Sequence, residues 1–190
     1  DTYEGLPVTS IADGETLMGL ALQSGVFMNH TEIKNVTLGA DLATVGLGAF
    51  AGCSGLESVN LSEVLSLGQW AFQNCSSLAS AQLGRLSQIP SNAFYNCASL
   101  AELTLPDSLV SIGASAFYNC SSLGELVIPS AVESIGNSAF NGCSSMEEAS
   151  VPASVTSLGT SVFANCSSLV RATVEAPITS IPNTTFQNCT

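Results

Sequence analysis

The seven cysteines are the residues of this chain with the widest chemical range, because a thiolate can form a disulfide, hold a metal ion or attack a substrate. They recur at a nearly constant interval, and each stands three positions after a phenylalanine. The pairs are Phe50 and Cys53, Phe72 and Cys75, Phe94 and Cys97, Phe117 and Cys120, Phe140 and Cys143, Phe163 and Cys166, and Phe186 and Cys189. The chain has no Cys-x-x-Cys pair, so the spacing lacks the pattern of a zinc site.

This fixed spacing is typical of a stacked repeat protein, in which equivalent side chains lie one above another. Stacked cysteines would be about 5 Å apart, within reach of a disulfide, but their side chains would point the same way into the core. Their number is also odd. We therefore predict that these cysteines are buried structural thiols and, with the seven phenylalanines, form the core of the repeats.

Nucleophilic catalysis through a Ser-His or Cys-His pair would have to use His30, which is the only histidine. His30 stands where the other units have cysteine, and a packed or hydrogen-bonded role is favoured over that of a catalytic base. The chain has no nucleophile motif, phosphate-binding loop or metal-ligand spacing. The sequence therefore predicts a protein that is not an enzyme and has no catalytic residue, metal site or cofactor.

One repeat unit, residues 100–122, indicates the local structure that must position these side chains. Leu103 and Leu105 alternate with polar residues, and this period of two predicts a short strand with one buried face. Pro106 ends the strand, because proline has no amide hydrogen to donate. Gly113 is expected to permit a sharp bend.

The end of the same unit has apolar residues at helical spacing. Ala116, Phe117 and Cys120 stand at positions i, i+1 and i+4, which predicts one turn of α- or 3₁₀-helix. Stacking the units would place their strands side by side in a parallel sheet, with the helical turns on the opposite side. The small residues at buried strand positions, Ala81, Ala149 and Ala172, are expected to make the sheet less regular.

The repeats predict a single elongated domain over residues 1–190. Positions 33–190 contain about seven units with a period of roughly 22–23 residues, the last of them incomplete, so the chain is expected to be part of a longer protein. Residues 1–32 form a degenerate N-terminal capping unit. In it, Ile11 is aligned with the inward Leu158, and the segment 14–25 is predicted to be an inserted apolar helix that covers the end of the stack.

The outward positions of the predicted strands are the candidate partner-binding residues. They are Glu102, Thr104, Glu125, Val127, Glu148 and Arg171. The three glutamates would face each other across adjacent strands, which is locally unfavourable. Such an arrangement is one way to hold a cation or a basic partner. The alternative is a solvated polar face on which the single arginine relieves its neighbouring glutamate.

Composition restricts the partners further. The chain of 190 residues is 46% hydrophobic but only 9% charged, with a net charge of −12. Such a surface repels phosphate backbones, which excludes nucleic acid as a partner. No apolar run is as long as the roughly 18 residues that a membrane span requires, so none is predicted.

Residues 100–122 follow the pattern Leu-x-x-Leu-x-Leu-Pro-x-Ser-Leu-x-x-Ile-Gly-x-x-Ala-Phe-x-x-Cys-x-Ser. This pattern closely resembles the repeat of the BspA-like leucine-rich repeat family. The resemblance implies a right-handed leucine-rich repeat superhelix on a cell-surface or secreted protein of a host-associated microbe. It implies an adhesin-like module that binds an extracellular protein or glycan, and no catalytic residues. The alternative function is that of a passive spacer within a larger surface protein.

Overall fold

The computed structural model describes residues 20–22, 25–36, 38–39 and 42–189. These residues form thirteen short strands joined by turns, and each repeat unit makes one coil of a solenoid. The strands are β1 (Leu20–Leu22), β2 (Asn35–Val36), β3 (Leu42–Val45), β4 (Ser58–Leu61), β5 (Ser66–Leu67), β6 (Ser80–Leu83), β7 (Gln88–Ile89), β8 (Glu102–Thr104), β9 (Ser111–Ile112), β10 (Ser134–Ile135), β11 (Glu148–Val151), β12 (Ser157–Leu158) and β13 (Arg171–Val174).

The longer strands of successive coils lie side by side and form what we call the strand side. It consists of a four-stranded parallel sheet in the order β2-β4-β6-β8 and a two-stranded parallel sheet, β11-β13. Residues alternate between buried and exposed along β4 and β11, as a strand with one apolar face requires. The parallel repeat sheet predicted from the period of two is confirmed.

A second row of short strands follows one turn later in each coil. Its sheets have the orders β1-β3-β5 and β7-β9-β10-β12, and all pairs are parallel. The last residue of β7, β9 and β10 is a buried isoleucine, so this row closes the core from a second direction.

The strand side is interrupted at residues 123–128, which form no strand. The sheet is therefore less regular, as expected, but not at the small residues, because Ala81, Ala149 and Ala172 all lie in paired strands. The interrupted segment has apolar residues at the expected positions but also has Gly124 and Glu125. Glycine weakens a strand, and a glutamate placed between two others in register is repelled by both.

The third side of each coil is a turn centred on phenylalanine. These phenylalanine turns are residues 25–30, 48–53, 70–75, 92–97, 115–120, 138–143, 161–166 and 184–189. The predicted helical turns do not form, and the part of the chain that the structure describes contains no helix. The second residue before each phenylalanine and the second after it have positive φ, which breaks a right-handed helix.

The residue type at the second position after each phenylalanine could have predicted the left-handed backbone there. Asparagine or glycine follows every phenylalanine of these turns at the second position, and these two residues adopt the left-handed conformation most readily. The spacing of Ala116, Phe117 and Cys120 is equally compatible with such a turn, so it does not identify a helix.

Backbone hydrogen bonds tie each phenylalanine turn to the next one. Phe72 donates its N–H to the carbonyl of Ala93 at 2.8 Å, and Asn74 donates to Tyr95 at 2.7 Å. Three such bonds link every adjacent pair of turns from the first, at 25–30, to the last, at 184–189. This ladder satisfies backbone groups that a helix would have satisfied internally.

The core is a continuous row of stacked aromatic rings. The phenylalanines from Phe27 to Phe186 are stacked with centroid separations of 5.2–5.7 Å. From Phe50 to Phe163 the side chains are almost completely buried. Each coil therefore buries its apolar residues against the coils before and after it.

The N-terminal coil differs from its predicted alignment. Leu22 of β1 pairs with Val45 of β3, and Phe27 follows Leu22 by the same five positions that separate Val45 from Phe50. Leu22 therefore stands at the repeat position assigned to Ile11, which lies outside the described residues. The predicted helix over 14–25 also falls mostly outside them; of its described residues, Leu20–Leu22 form a strand and Gly25 begins a turn.

Gly113, which follows β9, is required because the preceding coil leaves no room for a side chain, and not because the backbone bends there. Gly113 does not have the positive φ of a left-handed residue. A Cβ atom added to it would lie 2.5 Å from the backbone nitrogen of Ser91 in the preceding coil. Successive coils approach so closely here that no larger residue fits without movement.

Candidate functional site

The cysteines occupy one buried row beside the phenylalanine stack. Six of them are buried, and Cys189, in the last coil, is half-buried; the structure records all seven as free thiols. Each thiol donates a hydrogen bond to a phenylalanine carbonyl of an earlier coil, as Cys97 does to Phe72 at 3.1 Å. That carbonyl also accepts the backbone N–H of Cys75 at 3.3 Å, so the thiol fills its second acceptor position.

Burial makes these thiols poor nucleophiles. Loss of hydration raises the pKa of Cys53 to about 11 and that of Cys120 to about 12, from the usual value of 9.0. The pKa values of Cys97 and Cys143 are raised well above that value, chiefly by burial and then by the charges of neighbouring cysteines. Because the thiolate is the reactive form, the six buried thiols offer no nucleophile or metal ligand at neutral pH.

His30 lies at the surface rather than in a catalytic constellation. Its Nδ1 is 2.7 Å from Oε1 of Glu32, and both side chains are exposed. The hydrogen bond from the imidazole lowers the pKa of the Glu32 carboxyl. Within the described ranges, no three side chains of histidine, cysteine, aspartate or glutamate are grouped so that they could hold a metal ion.

The outward positions of the strand side form a surface that we call the acidic face. It consists of Glu102, Thr104, Glu125, Val127, Glu148 and Arg171, all of which are exposed. Its apolar member, Val127, is 84% exposed. The alternation predicts the exposure of these six residues correctly, whereas Ala172, predicted to be buried, is exposed.

The register within the acidic face is less regular than the sequence predicts. Glu148 of β11 lies opposite Arg171 of β13, and the two side chains form an ion pair. Glu102 of β8 pairs with Ser80. Glu125 lies in the interrupted segment and belongs to no strand, so the predicted pairing of three carboxylates across adjacent strands does not form.

The interrupted segment leaves backbone groups available beside these carboxylates. Residues 124–128 make no backbone hydrogen bond to any other described residue. Glu102 and Glu125 also have no ion-pair partner among the described residues. The centre of the acidic face therefore combines two free carboxylates, an exposed valine and free backbone donors and acceptors.

Sequence reasoning missed one acidic residue at this surface. Glu147 is exposed next to Glu148, and its carbonyl accepts hydrogen bonds from the N–H groups of Val170 and Arg171. The signal was available, because the position before the outward strand residue is also exposed in Glu57 and Ala79. Glu147 adds a negative charge beside the one arginine of the face.

These coils match a known repeat family along most of the chain. The model of the BspA type leucine-rich repeat region matches residues 20–86 and 82–190, in six copies. The chain belongs to the BspA type leucine-rich repeat family. The resemblance carried by residues 100–122 is thus confirmed, and the solenoid described above is the leucine-rich repeat fold.

Solved structures of bacterial leucine-rich repeat proteins have the same fold. A leucine-rich cell surface protein of Faecalibacterium prausnitzii has a TM-score of 0.78 and 29% identity over 83% of this chain and 43% of that protein. A leucine-rich repeat protein of Bacteroides ovatus has a TM-score of 0.72 and 32% identity over 80% of this chain and 39% of that protein. The chain therefore spans less than half the length of either relative.

More distant comparisons add little about function. The pneumococcal vaccine antigen PcpA shares the fold at 19% identity and a TM-score of 0.52, over 82% of this chain and 54% of that protein. A comparison with curated proteins finds no match to this sequence. None of the described residues belongs to a helix long and apolar enough to cross a membrane.

Proposed function

We propose that this BspA type chain is a non-enzymatic binding module that is displayed on a cell surface or secreted. It binds an extracellular protein or glycan through the acidic face of its strand side. The observation that carries the proposal is the exposed Val127, which shares the interrupted segment with the unpaired Glu125 and follows the coil that holds the unpaired Glu102. Carboxylates beside an exposed apolar side chain offer a partner both charge complementarity and an apolar contact.

Charge indicates which partners this face favours. Glu102, Glu125 and Glu148 lie in three successive coils, and the only basic residue of the face is Arg171. A basic protein segment gains from this arrangement both in its rate of association and in its orientation on the face. The free backbone groups of residues 124–128 supply hydrogen bonds that need no particular partner side chain.

The family relationship supports display outside the cell. The Faecalibacterium relative is described as a cell surface protein, and this chain shares its coils at 29% identity. Extended solenoid surfaces of this kind present many side chains in a row to a large partner.

The test is a capture experiment with three forms of the chain. The native chain and a Glu102/Glu125/Glu148→Gln variant are immobilised and exposed to extracellular matrix and serum proteins and to a glycan array. The control is a Glu63/Asp107/Glu133→Gln/Asn/Gln variant, which removes the same number of charges from residues outside the strands of the strand side. We expect a partner that binds the native chain and the control but is lost from the first variant.

Other outcomes count against this proposal in defined ways. A partner that all three forms capture would locate the binding site elsewhere on the chain. A partner lost equally from both variants would indicate a general response to net charge rather than a site. Capture of no partner by any form would favour the alternative function.

The alternative is a passive spacer that holds another part of a larger protein away from the cell. The uninterrupted phenylalanine stack favours it, because a continuous core makes adjacent coils rigid with respect to each other. A spacer has no need for a free valine among carboxylates, and this is why we prefer the binding module.

A further inference from the structure

The phenylalanine turns differ from the rest of the molecule in their lack of charged residues. None of the eight turns contains a lysine, arginine, aspartate or glutamate, although the chain has 3 basic and 15 acidic residues and a net charge of −12. Apart from His30 in the first turn, their polar side chains are amides, hydroxyls and thiols. This side of the solenoid is therefore electrically neutral in a strongly acidic protein.

Trp70 is a conformational outlier on this neutral side. Its φ is +58°, a left-handed conformation that is a genuine outlier for a bulky side chain. The equivalent positions in the neighbouring turns have Gly48 and Asn92, which adopt this conformation at low cost. Trp70 is 39% exposed and is the only tryptophan, so a large ring is held at the surface at the expense of backbone strain.

Two tyrosines extend the aromatic surface into the next two turns. Tyr95 and Tyr118 are half-buried, and their rings stack with centroids 4.8 Å apart and planes 5° from parallel. Backbone bonds hold the turns together, since Trp70 donates to Ser91 at 3.3 Å and Asn96 donates to Tyr118 at 2.8 Å. The aromatic residues thus occupy three consecutive turns, with Trp70 at the first position of its turn and each tyrosine at the fourth position of its own.

A shallow groove crosses the ends of the same three turns, just after the tyrosines in the sequence. It has a volume of about 490 Å³ and is lined by Asn74, Ser76, Asn96, Ala98, Asn119 and Ser121. Nδ2 of Asn96 donates to Oδ1 of Asn74 at 3.0 Å. This bond leaves the Nδ2 group of Asn74 and the Oδ1 atom of Asn96 available to a ligand.

We propose that this side of the solenoid binds an uncharged oligosaccharide. Sugar rings have an apolar C–H face that packs on aromatic rings, and hydroxyl groups that bond to amides. Trp70 and the tyrosine pair supply the first contact, and the asparagines of the groove supply the second. A charged partner would find no opposite charge here, so a neutral ligand fits this surface best.

This site is separate from the acidic face and does not depend on it. The side chains of the two sites lie on different sides of each coil, in the phenylalanine turns and in the strand residues. A variant that removes one site should therefore leave binding at the other intact.

The only tryptophan provides a direct test. Fluorescence of Trp70 is measured while neutral hexasaccharides of glucose, mannose, galactose and N-acetylglucosamine are added, with polygalacturonate and heparin fragments as charged controls. We expect a saturable change with at least one neutral hexasaccharide and none with the charged ones. Calorimetry then gives the affinity for the hexasaccharide that binds.

Variants connect this signal to the proposed residues. Trp70→Asn introduces the residue type that the next turn has at the equivalent position, Asn92, so the variant should fold with unchanged or higher stability. We expect it and Tyr95→Ala to weaken affinity about ten-fold or more, since one lost aromatic contact is worth roughly that factor. The matched control is Val110→Ala, an exposed apolar position outside both the phenylalanine turns and the acidic face, which should bind the saccharide as the native chain does.

Three results would overturn the proposal. It fails if no neutral hexasaccharide binds at millimolar concentration, or if only charged ones do. It also fails if the Trp70→Asn and Tyr95→Ala variants both keep the native affinity. Loss of saccharide binding in the Glu102/Glu125/Glu148→Gln variant would contradict the separation of the two sites.

Discussion

The phenylalanine turns and the strand side are built by the same repeat but differ in regularity. Three backbone hydrogen bonds link every adjacent pair of turns along the described chain, whereas the strand side loses its pairing at residues 123–128. In the turns the inward phenylalanine and cysteine hardly change between units. On the strand side the outward residues vary and include like charges. The regular hydrogen bonding between coils therefore depends on the residues that point inward. Variation among the outward residues can interrupt it.

The largest expected effect concerns the buried thiols of the turns. Their folded pKa values are raised above 9.0, so the stability they contribute is complete below about pH 9 and is lost as pH rises through 11–12. At pH 10.5 each such thiol should lower the free energy of unfolding by about 2 kcal/mol relative to its value below pH 9. Urea unfolding under reducing conditions should show a steep loss of stability between pH 9 and pH 11.

A variant separates the thiols from other groups that titrate at high pH. Cys120→Ala should reduce the slope of the free energy of unfolding against pH by the contribution of about one proton. The chain has only one lysine and three tyrosines, so few other groups contribute. A free energy of unfolding that stays constant up to pH 11 would show that the thiols are not buried as described.

Truncation of one stacked ring should be next in size. Phe117→Ala removes a fully buried side chain between Phe94 and Phe140, and we expect a loss of about 3–5 kcal/mol. Leu126→Ala, at a half-buried position of the interrupted segment, should cost about 1 kcal/mol or less. Urea denaturation measures both, and equal losses would contradict the contrast between the two regions.

The left-handed backbone of the turns allows a smaller test. Asn119 has a φ of +54°, so Asn119→Ala should cost about 1 kcal/mol while Asn119→Gly should be nearly neutral. Asn35→Ala on the exposed face of β2 serves as the control and should change stability by less than about 0.5 kcal/mol. If alanine and glycine at position 119 have the same effect, backbone strain is not the reason.

The smallest effect should come from repairing the interrupted segment. Glu125→Thr removes the central negative charge and introduces a β-branched residue, which should raise the free energy of unfolding by about 0.5 kcal/mol. Amide hydrogen exchange should then slow within residues 124–128. Unchanged exchange would mean that Gly124, rather than charge, prevents the strand from forming.

The inward pattern made much of this fold predictable from the sequence. The spacing of Phe117 and Cys120 from their counterparts places them correctly in the stack, and the alternation around Leu103 predicts the parallel strands. Both signals recur from unit to unit, so an ambiguity in one unit is resolved by the others. Repetition of this kind is what makes the coils of a solenoid predictable.

Features that depend on a single unit or on backbone conformation were not predictable in the same way. Leu126 fits the strand pattern as well as Leu103 does. The sequence indicated repulsion between the glutamates, but not that this repulsion or Gly124 would interrupt the strand. The prediction of helical turns is wrong because side-chain spacing does not determine φ. The alignment of Ile11 rests on local similarity, whereas the constant five-position spacing to Phe27 would have selected Leu22.

The candidate site was predictable in exposure but not in arrangement. Period-two alternation places Glu102 and Val127 on the outward face, as the structure has them. The neutral turn side and the strained Trp70 depend on which side of each coil a residue occupies and on its backbone angles. Those properties follow only once the three sides of the coil are known.

The row of thiols also makes the molecule insensitive to the redox state of its surroundings. Oxidation and disulfide exchange both require an accessible thiolate, and Cys53 to Cys166 are neutral and shielded by the stacked rings. The same covalent structure should therefore persist in an anaerobic lumen and in oxygenated fluid. The six buried cysteines therefore need neither an oxidising compartment to fold nor a reducing one to survive.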